Sequence, residues 1–110
     1  MRSIEAGAVV VVHCSSPREK LWGVLLRLDT VGVVVRGLDL AAVEDWLRQE
    51  LSGAETLFAP STVFIPTSRL ERLYLDESAG PVQSYADRYR AACGGEVRDA
   101  LVGPDQEWPS

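Results

Sequence analysis

The chain has 110 residues, of which 46% are hydrophobic and 25% are charged, a composition that predicts one ordered domain and excludes wholesale disorder. Eleven basic residues against sixteen acidic residues give a net charge of −5, which argues against a protein held to DNA by a general positive field. No apolar run approaches the roughly 20 residues that a membrane-spanning helix needs, so no membrane partner is expected.

Three strands are predicted in the first third of the chain. Residues 7–14 form an unbroken apolar, β-branched run, which is typical of a strand covered on both faces. Residues 20–28 form the second strand, in which Gly23 lies where a barrel strand bends sharply. Residues 31–36 form the third strand, and the short connection before it predicts a hairpin with the second.

A helix is predicted between the third and fourth strands. Asp39 suits its N-cap, because the carboxylate can accept hydrogen bonds from the free amides of the first turn. Gly53 suits the position just after its last residue. The apolar side chains that recur on one face at helical spacing are Leu40, Val43, Trp46, Leu47 and Leu51.

Two further strands follow. The fourth is 62–66, where Pro66 must lie at an edge, an end or a bend because it has no amide hydrogen. The fifth is 69–75. Leu70 and Leu73 cannot both follow a period of two, so we expect a bulge or a sharp bend between them.

The end of the chain predicts a second helix and a tail. Gly80 and Pro81 open the helix, which spans 81–93, because proline favours the first helical position. Residues 96–110 are acidic and are expected to form a loose tail after a single domain of residues 1–95.

Two residue patterns on these strands resemble the signatures of the Sm-like family, which includes the LSm proteins and Hfq. The first runs through the second strand into the hairpin and is met by Gly23, Leu25 and Asp29. The second is a spaced set of apolar residues and is met by Ile65, Leu70 and Leu73. The resemblance implies a mainly β fold with two helices: a five-stranded, SH3-like open barrel, with one helix inserted between strands three and four and the other C-terminal.

The positions that bind RNA in this family carry other side chains here. The base-binding Asn corresponds to Val33, and the Arg-Gly pair corresponds to Pro66 and Thr67. The Lys-His pair of Hfq corresponds to Thr67 and Ser68. Neutral or apolar groups therefore replace those that would read a base or hold a phosphate. The resemblance implies the barrel and its ring-forming edges without the usual RNA site.

The edges of such an open barrel predict a homo-oligomer. Strands four and five each have one side without a partner strand, and unpaired edges favour strand addition. Pairing of strand four with strand five of a neighbour is a head-to-tail contact that could close a ring. The alternative is that helix 81–93 covers this edge within one chain. The expected interface residues are Val63, Phe64, Ile65, Leu70, Leu73 and Leu75.

Three arginines at strand ends offer a different RNA contact: Arg36, Arg69 and Arg72. They would bind single-stranded RNA, and the alternative is that they pair with surface carboxylates such as Glu71 or Asp76.

The sequence offers no catalytic or metal-binding constellation, and no cofactor is expected. His13 and Cys14 are neighbours on a strand, so their side chains point to opposite faces, and structural zinc needs about four such ligands. The adjacent carboxylates Asp76 and Glu77 are expected in solvent. Cys14 and Cys93 lack the paired spacing of a disulfide scaffold, which indicates a reduced, cytoplasmic protein.

The sequence therefore predicts a non-catalytic, Sm-like scaffold or interaction module that forms a homo-oligomer. The first alternative is an RNA-binding Sm/Hfq-like protein. The second is a small enzyme or ligand-binding barrel that uses His13.

Overall fold

The computed structural model describes residues 3–53 and 57–103, and these residues contain five strands and three α-helices. The strands are β1 (Val9–Cys14), β2 (Glu19–Leu28), β3 (Gly32–Asp39), β4 (Ser61–Pro66) and β5 (Leu70–Leu75). The helices are α1 (Val43–Ser52), α2 (Tyr85–Cys93) and α3 (Val97–Val102). The fold is mainly β, as predicted, but it has one helix more than expected.

All five strands belong to one open antiparallel sheet with the order β4-β3-β2-β1-β5. Cys14 of β1 and Ile65 of β4 line the same cavity, although β2 and β3 lie between their strands in the sheet. The sheet is therefore curled, and it has a concave inner face and a convex outer face.

The inner face carries one apolar cluster, to which all five strands contribute. Period-two alternation places Leu21 and Leu25 of β2 on this face, whereas Trp22 and Val24 point to the outer face. The buried members of the inner cluster are Val10, Val12, Cys14, Leu25, Val33, Val35 and Ile65.

The outer face of the central strands is covered by the helices. Trp22, which is fully buried, contacts Trp46 of α1 and Tyr85 of α2 at ring-centroid distances of 5.7 and 6.0 Å. The buried members of this outer cluster are Val11, Trp22, Val24, Leu38, Val43, Trp46, Ala86, Val97 and Leu101. Apolar residues on both faces explain why the strands read as continuous apolar runs.

Two glycines allow the main chains of β2 and β3 to approach closely. Gly23 and Gly37 lie opposite each other in the register of these strands. A Cβ atom at Gly37 would collide with the main chain of Trp22, and one at Gly23 would collide with that of Arg36. A strand glycine can mark such a close approach, and the sharp bend predicted at Gly23 stays a prediction.

The fifth strand contains the predicted irregularity. Arg72 lies opposite His13 and Leu70 lies opposite Cys14, so Glu71 is an extra residue in β5. This bulge places Leu70 and Leu73 on the same inner face. Pro66, as expected, ends a strand at the edge of the sheet.

The predicted helix starts need correction. Asp39 is the last residue of β3 and makes no capping hydrogen bond, because a 3₁₀ turn at Leu40–Ala42 precedes α1. Helix α2 begins at Tyr85 instead of Pro81, and the Ser84 side chain caps it by accepting from the Asp87 amide. Gly53 does end α1, in the left-handed conformation.

The expected loose tail is wrong for residues 97–102. These residues form α3, whose Val97 and Leu101 are each 2% exposed in the outer cluster. The tail is predicted from the acidic composition, although Val97 and Leu101 lie four positions apart, which is helical spacing. The domain therefore extends past residue 95, and residues 104–110 lie outside the described part of the chain.

Across residues 3–53 and 57–103, we find no helix that is both long and apolar enough to cross a membrane.

Candidate functional site: the open edges of the sheet

The sheet has two open edges. β4 pairs with β3 on one side, β5 pairs with β1 on one side, and neither has a second partner strand among the described residues. The predicted edges at strands four and five are therefore present within this chain.

The hydrogen bonds of β4 reveal which of its backbone groups face outward. The amide of Thr67 donates to the carbonyl of Val31 over 2.9 Å, just beyond the last pair of the β3–β4 ladder. Hydrogen-bonded positions alternate in an antiparallel pair, so Val63 and Ile65 bond toward β3. The backbone groups at the intervening Thr62 and Phe64 therefore point away from the sheet.

The same alternation applies to β5. The amide of Asp76 donates to the carbonyl of Val9 over 2.9 Å. Hydrogen-bonded positions alternate, so the backbone groups of Tyr74 and Arg72 also bond toward β1. The backbone groups of Leu73 and Leu75 therefore point toward the open edge.

The predicted interface residues differ in what their side chains do. Phe64 is 49% exposed on the outer face, whereas Ile65 is 2% exposed in the inner cluster. The remaining four pack, partly buried, against the inner cluster: Val63, Leu70, Leu73 and Leu75. Helix α2 packs through Ala86 on the outer cluster, so it covers a face of the sheet.

Arg36 joins the end of α3 to β4. Its Nε donates to the carbonyl oxygen of Leu101 over 2.9 Å, and its Nη1 donates to the Thr62 hydroxyl over 3.3 Å. Its guanidinium is therefore engaged in holding two elements together.

Arg69 secures the turn between β1 and β2. It donates to the carbonyl oxygens of Ser15 and Pro17 over 3.1 and 2.9 Å, and it pairs with the Glu19 carboxylate at 2.6 Å. The structure therefore places Arg36 and Arg69 at separate structural contacts instead of in one patch with Arg72. RNA binding by these three arginines stays a prediction.

Arg72 lies in a different environment, on the outer face of β5. Its guanidinium carbon is 4.7 Å from the centroid of the Tyr74 ring, and His13 is its cross-strand neighbour. His13 also lies opposite Lys20 on β2, so three basic side chains share one row across the sheet. Sequence spacing does not show this row, because it depends on the register of three strands.

A cavity of about 530 Å³ opens at one end of the inner cluster, beside β4. Apolar side chains such as Leu57 and Phe58 line it together with Cys14, Arg69 and Glu19. Burial raises the pKa of the Cys14 thiol, which disfavours the reactive thiolate.

Among the residues the structure describes, no group of His, Cys, Asp and Glu side chains is arranged to hold a metal ion.

Asp76 is buried, contrary to the expectation of a solvated carboxylate. It is 7% exposed and accepts hydrogen bonds from the Trp22 indole at 3.1 Å and from the amides of Tyr85 and Ala86 at 3.2 and 2.9 Å. It therefore joins the outer cluster to the start of α2. Its neighbour Glu77 is exposed, as expected.

Comparison of the chain with protein-family models, with curated proteins and with solved structures gives no match.

Proposed function

We propose that the protein is a non-catalytic, Sm-like small barrel whose function is to assemble with copies of itself, β4 of one subunit pairing with β5 of the next. The observation that carries this proposal is the pair of open edges on one curled sheet. Each edge exposes backbone donors and acceptors, which stabilise a complex when a neighbouring strand supplies their partners.

The residues of the first family signature support the Sm-like interpretation by their positions. Gly23 lies at the close approach of β2 and β3, and Leu25 is fully buried in the inner cluster. Asp29 accepts hydrogen bonds from the amides of Val31 and Gly32 over 2.9 and 3.2 Å, which fixes the hairpin between β2 and β3.

The residues of the second signature all belong to the inner cluster or pack against it. Ile65 lies in the inner cluster, and Leu70 and Leu73 pack against that cluster from the other end of the sheet. A 3₁₀ turn at Thr67–Arg69 joins β4 to β5 within three residues, so the two edges are held at a fixed separation.

The backbone alternation determines how two subunits would fit. Opposed residues in an antiparallel pair place their side chains on the same side. The outward groups of β4 are at Thr62 and Phe64, and those of β5 are at Leu73 and Leu75. Phe64 of the partner subunit would therefore lie beside Leu73 and Leu75. That contact would bury the exposed half of the Phe64 ring and close the gap beside the inner cluster.

The test removes a single outward backbone donor. The Thr62→Pro variant lacks the outward amide of β4 but retains every backbone hydrogen bond to β3, so it should be a folded monomer. The matched control is Thr62→Ala, which removes the hydroxyl that accepts from Arg36 and the γ-methyl group but keeps the outward amide. We expect light scattering to show oligomers for the wild type and for Thr62→Ala, with masses at least twice the 12.0 kDa of one chain.

A second variant tests the side-chain contact. Phe64→Lys places a charge on the open edge and should weaken self-association at least tenfold. Leu57→Lys introduces the same charge at a residue that is 80% exposed and lies outside the strands, and it should leave the mass unchanged. A wild-type protein that stays a monomer at high concentration would overturn the proposal.

A further inference from the structure

We propose that the cross-strand row of Lys20, His13 and Arg72 is a binding site for linked phosphate groups, such as those of a polyphosphate. The row lies on the outer face of β1, β2 and β5. Directly opposed residues in an antiparallel sheet have Cβ atoms about 5 Å apart. The Lys20 ammonium, the His13 imidazole and the Arg72 guanidinium therefore line up over roughly 10 Å, with a cation at each end, which suits an extended polyanion better than a single phosphate.

Lys20 and Arg72, the two cations of the row, form no ion pair with a carboxylate among the described residues. The ion pairs found in residues 3–53 and 57–103 engage five other arginines: Arg27, Arg48, Arg69, Arg88 and Arg90. Lys20 and Arg72 take part in none of these pairs, and no pair joins the adjacent Glu71 to the row. In a protein with a net charge of −5, the row is therefore a locally cationic part of the surface.

The phosphate oxygens of a polyanion accept charge-assisted hydrogen bonds from the Lys20 ammonium and the Arg72 guanidinium. Both ends of the row therefore contribute to affinity when the site is occupied.

Tyr74 holds two members of the row in place. Its hydroxyl is 3.3 Å from Nε2 of His13, and the two rings pack edge to face at 5.4 Å. The Arg72 guanidinium lies over the Tyr74 ring. These contacts restrict both side chains before a ligand arrives, which reduces the entropy lost on binding.

The same contacts favour a polyphosphate over a nucleic acid strand. Binding of single strands relies on aromatic rings with a free face on which bases stack. Tyr74 has Arg72 over its ring, His13 at its edge and the outer cluster beside it. The row therefore supplies charge without a stacking platform.

Titration calorimetry with inorganic tripolyphosphate at low salt tests the site. We expect the wild type to bind and the affinity to fall at least tenfold in Arg72→Gln and in Lys20→Gln. Both side chains are exposed, so the variants should fold. Arg48→Gln makes the same charge change on α1, where Arg48 pairs with Asp45, and it should bind like the wild type.

Three results would overturn the proposal: no binding by the wild type at low salt, an equal loss in Arg48→Gln, or binding of single-stranded RNA through the row without binding of tripolyphosphate. Orthophosphate that binds as tightly as tripolyphosphate would also contradict a site for linked phosphates. None of these measurements depends on self-association, which the native mass reports separately.

Discussion

At the scale of single residues, Asp76 shows how a charged side chain can be part of a core. Its carboxylate satisfies the Trp22 indole and two amides at the start of α2. A buried donor that loses its acceptor is left with the full cost of desolvation, so the loss is larger than the energy of one ordinary hydrogen bond.

We therefore expect Asp76→Ala to lower the free energy of unfolding by roughly 3 kcal/mol, measured by urea denaturation. Glu77→Ala, at the exposed neighbouring position, should change it by less than about 0.5 kcal/mol. Equal effects of the two substitutions would show that the carboxylate of Asp76 is not the anchor of α2.

The burial of Asp76 is also a case that sequence could not reveal. Asp76 and Glu77 are adjacent acidic residues just after a strand, and nothing local distinguishes them. The difference arises from Trp22, which lies 54 residues earlier in the chain. By contrast, Asp29 accepts hydrogen bonds from amides two and three residues later. A local contact of that kind can be predicted from sequence.

At the scale of elements, α1 and α2 are joined by a bidentate ion pair. The Arg88 guanidinium donates to both carboxylate oxygens of Glu44 over 2.6 and 2.8 Å. This hydrogen bonding lowers the pKa of Glu44 below its ordinary value. A carboxyl group with a lowered pKa in the folded state stabilises the fold at neutral pH, and that contribution is lost as the pH falls through the folded-state pKa.

The stability difference between the wild type and Glu44→Gln should accordingly shrink between about pH 6 and about pH 3, measured by thermal unfolding at a series of pH values. Both side chains are more than a third exposed, so added salt should reduce the difference as well. Glu71→Gln removes an exposed carboxylate without an ion pair among the described residues, and at neutral pH it should change the stability by less than Glu44→Gln does. A constant difference for Glu44→Gln across this range would contradict the pairing.

The strands could be predicted from sequence more closely than the helices. Their apolar, β-branched runs are bounded by turns, so the five predicted strands match the observed ones to within a few residues. Helix starts depend on which polar side chain reaches a free amide. Asp39 and Pro81 both suit a start by residue type, but a 3₁₀ turn separates Asp39 from α1, and Ser84 provides the cap of α2.

At the scale of the whole molecule, α3 completes the cover over the outer face of the sheet. Leu101 is 2% exposed within the outer cluster, although it lies in a segment whose composition resembles that of a tail. We expect Leu101→Ala to destabilise the fold by about 3 kcal/mol in urea denaturation.

The control for this prediction is Leu51→Ala on α1, where the side chain is 61% exposed and the change should be within about 0.5 kcal/mol. If Leu101→Ala were as mild as Leu51→Ala, residues 97–102 would not be part of the cooperative core.

The two candidate surfaces differ in how far sequence could predict them. The open edges follow from the number and order of strands, and Val63, Phe64 and Ile65 could be identified from one local run. The basic row requires the register that sets His13 between Lys20 and Arg72, which no spacing within one strand encodes. Long-range contacts also explain why Arg36 and Arg69, both predicted at strand ends, serve separate structural roles.

The contact of Arg36 with both Leu101 and Thr62 has a practical consequence. It holds the last turn of α3 beside the edge strand β4, so a fluorophore attached at residue 103 would lie near the edge at which we propose that a neighbour docks. Energy transfer between donor-labelled and acceptor-labelled subunits would then follow subunit exchange in real time.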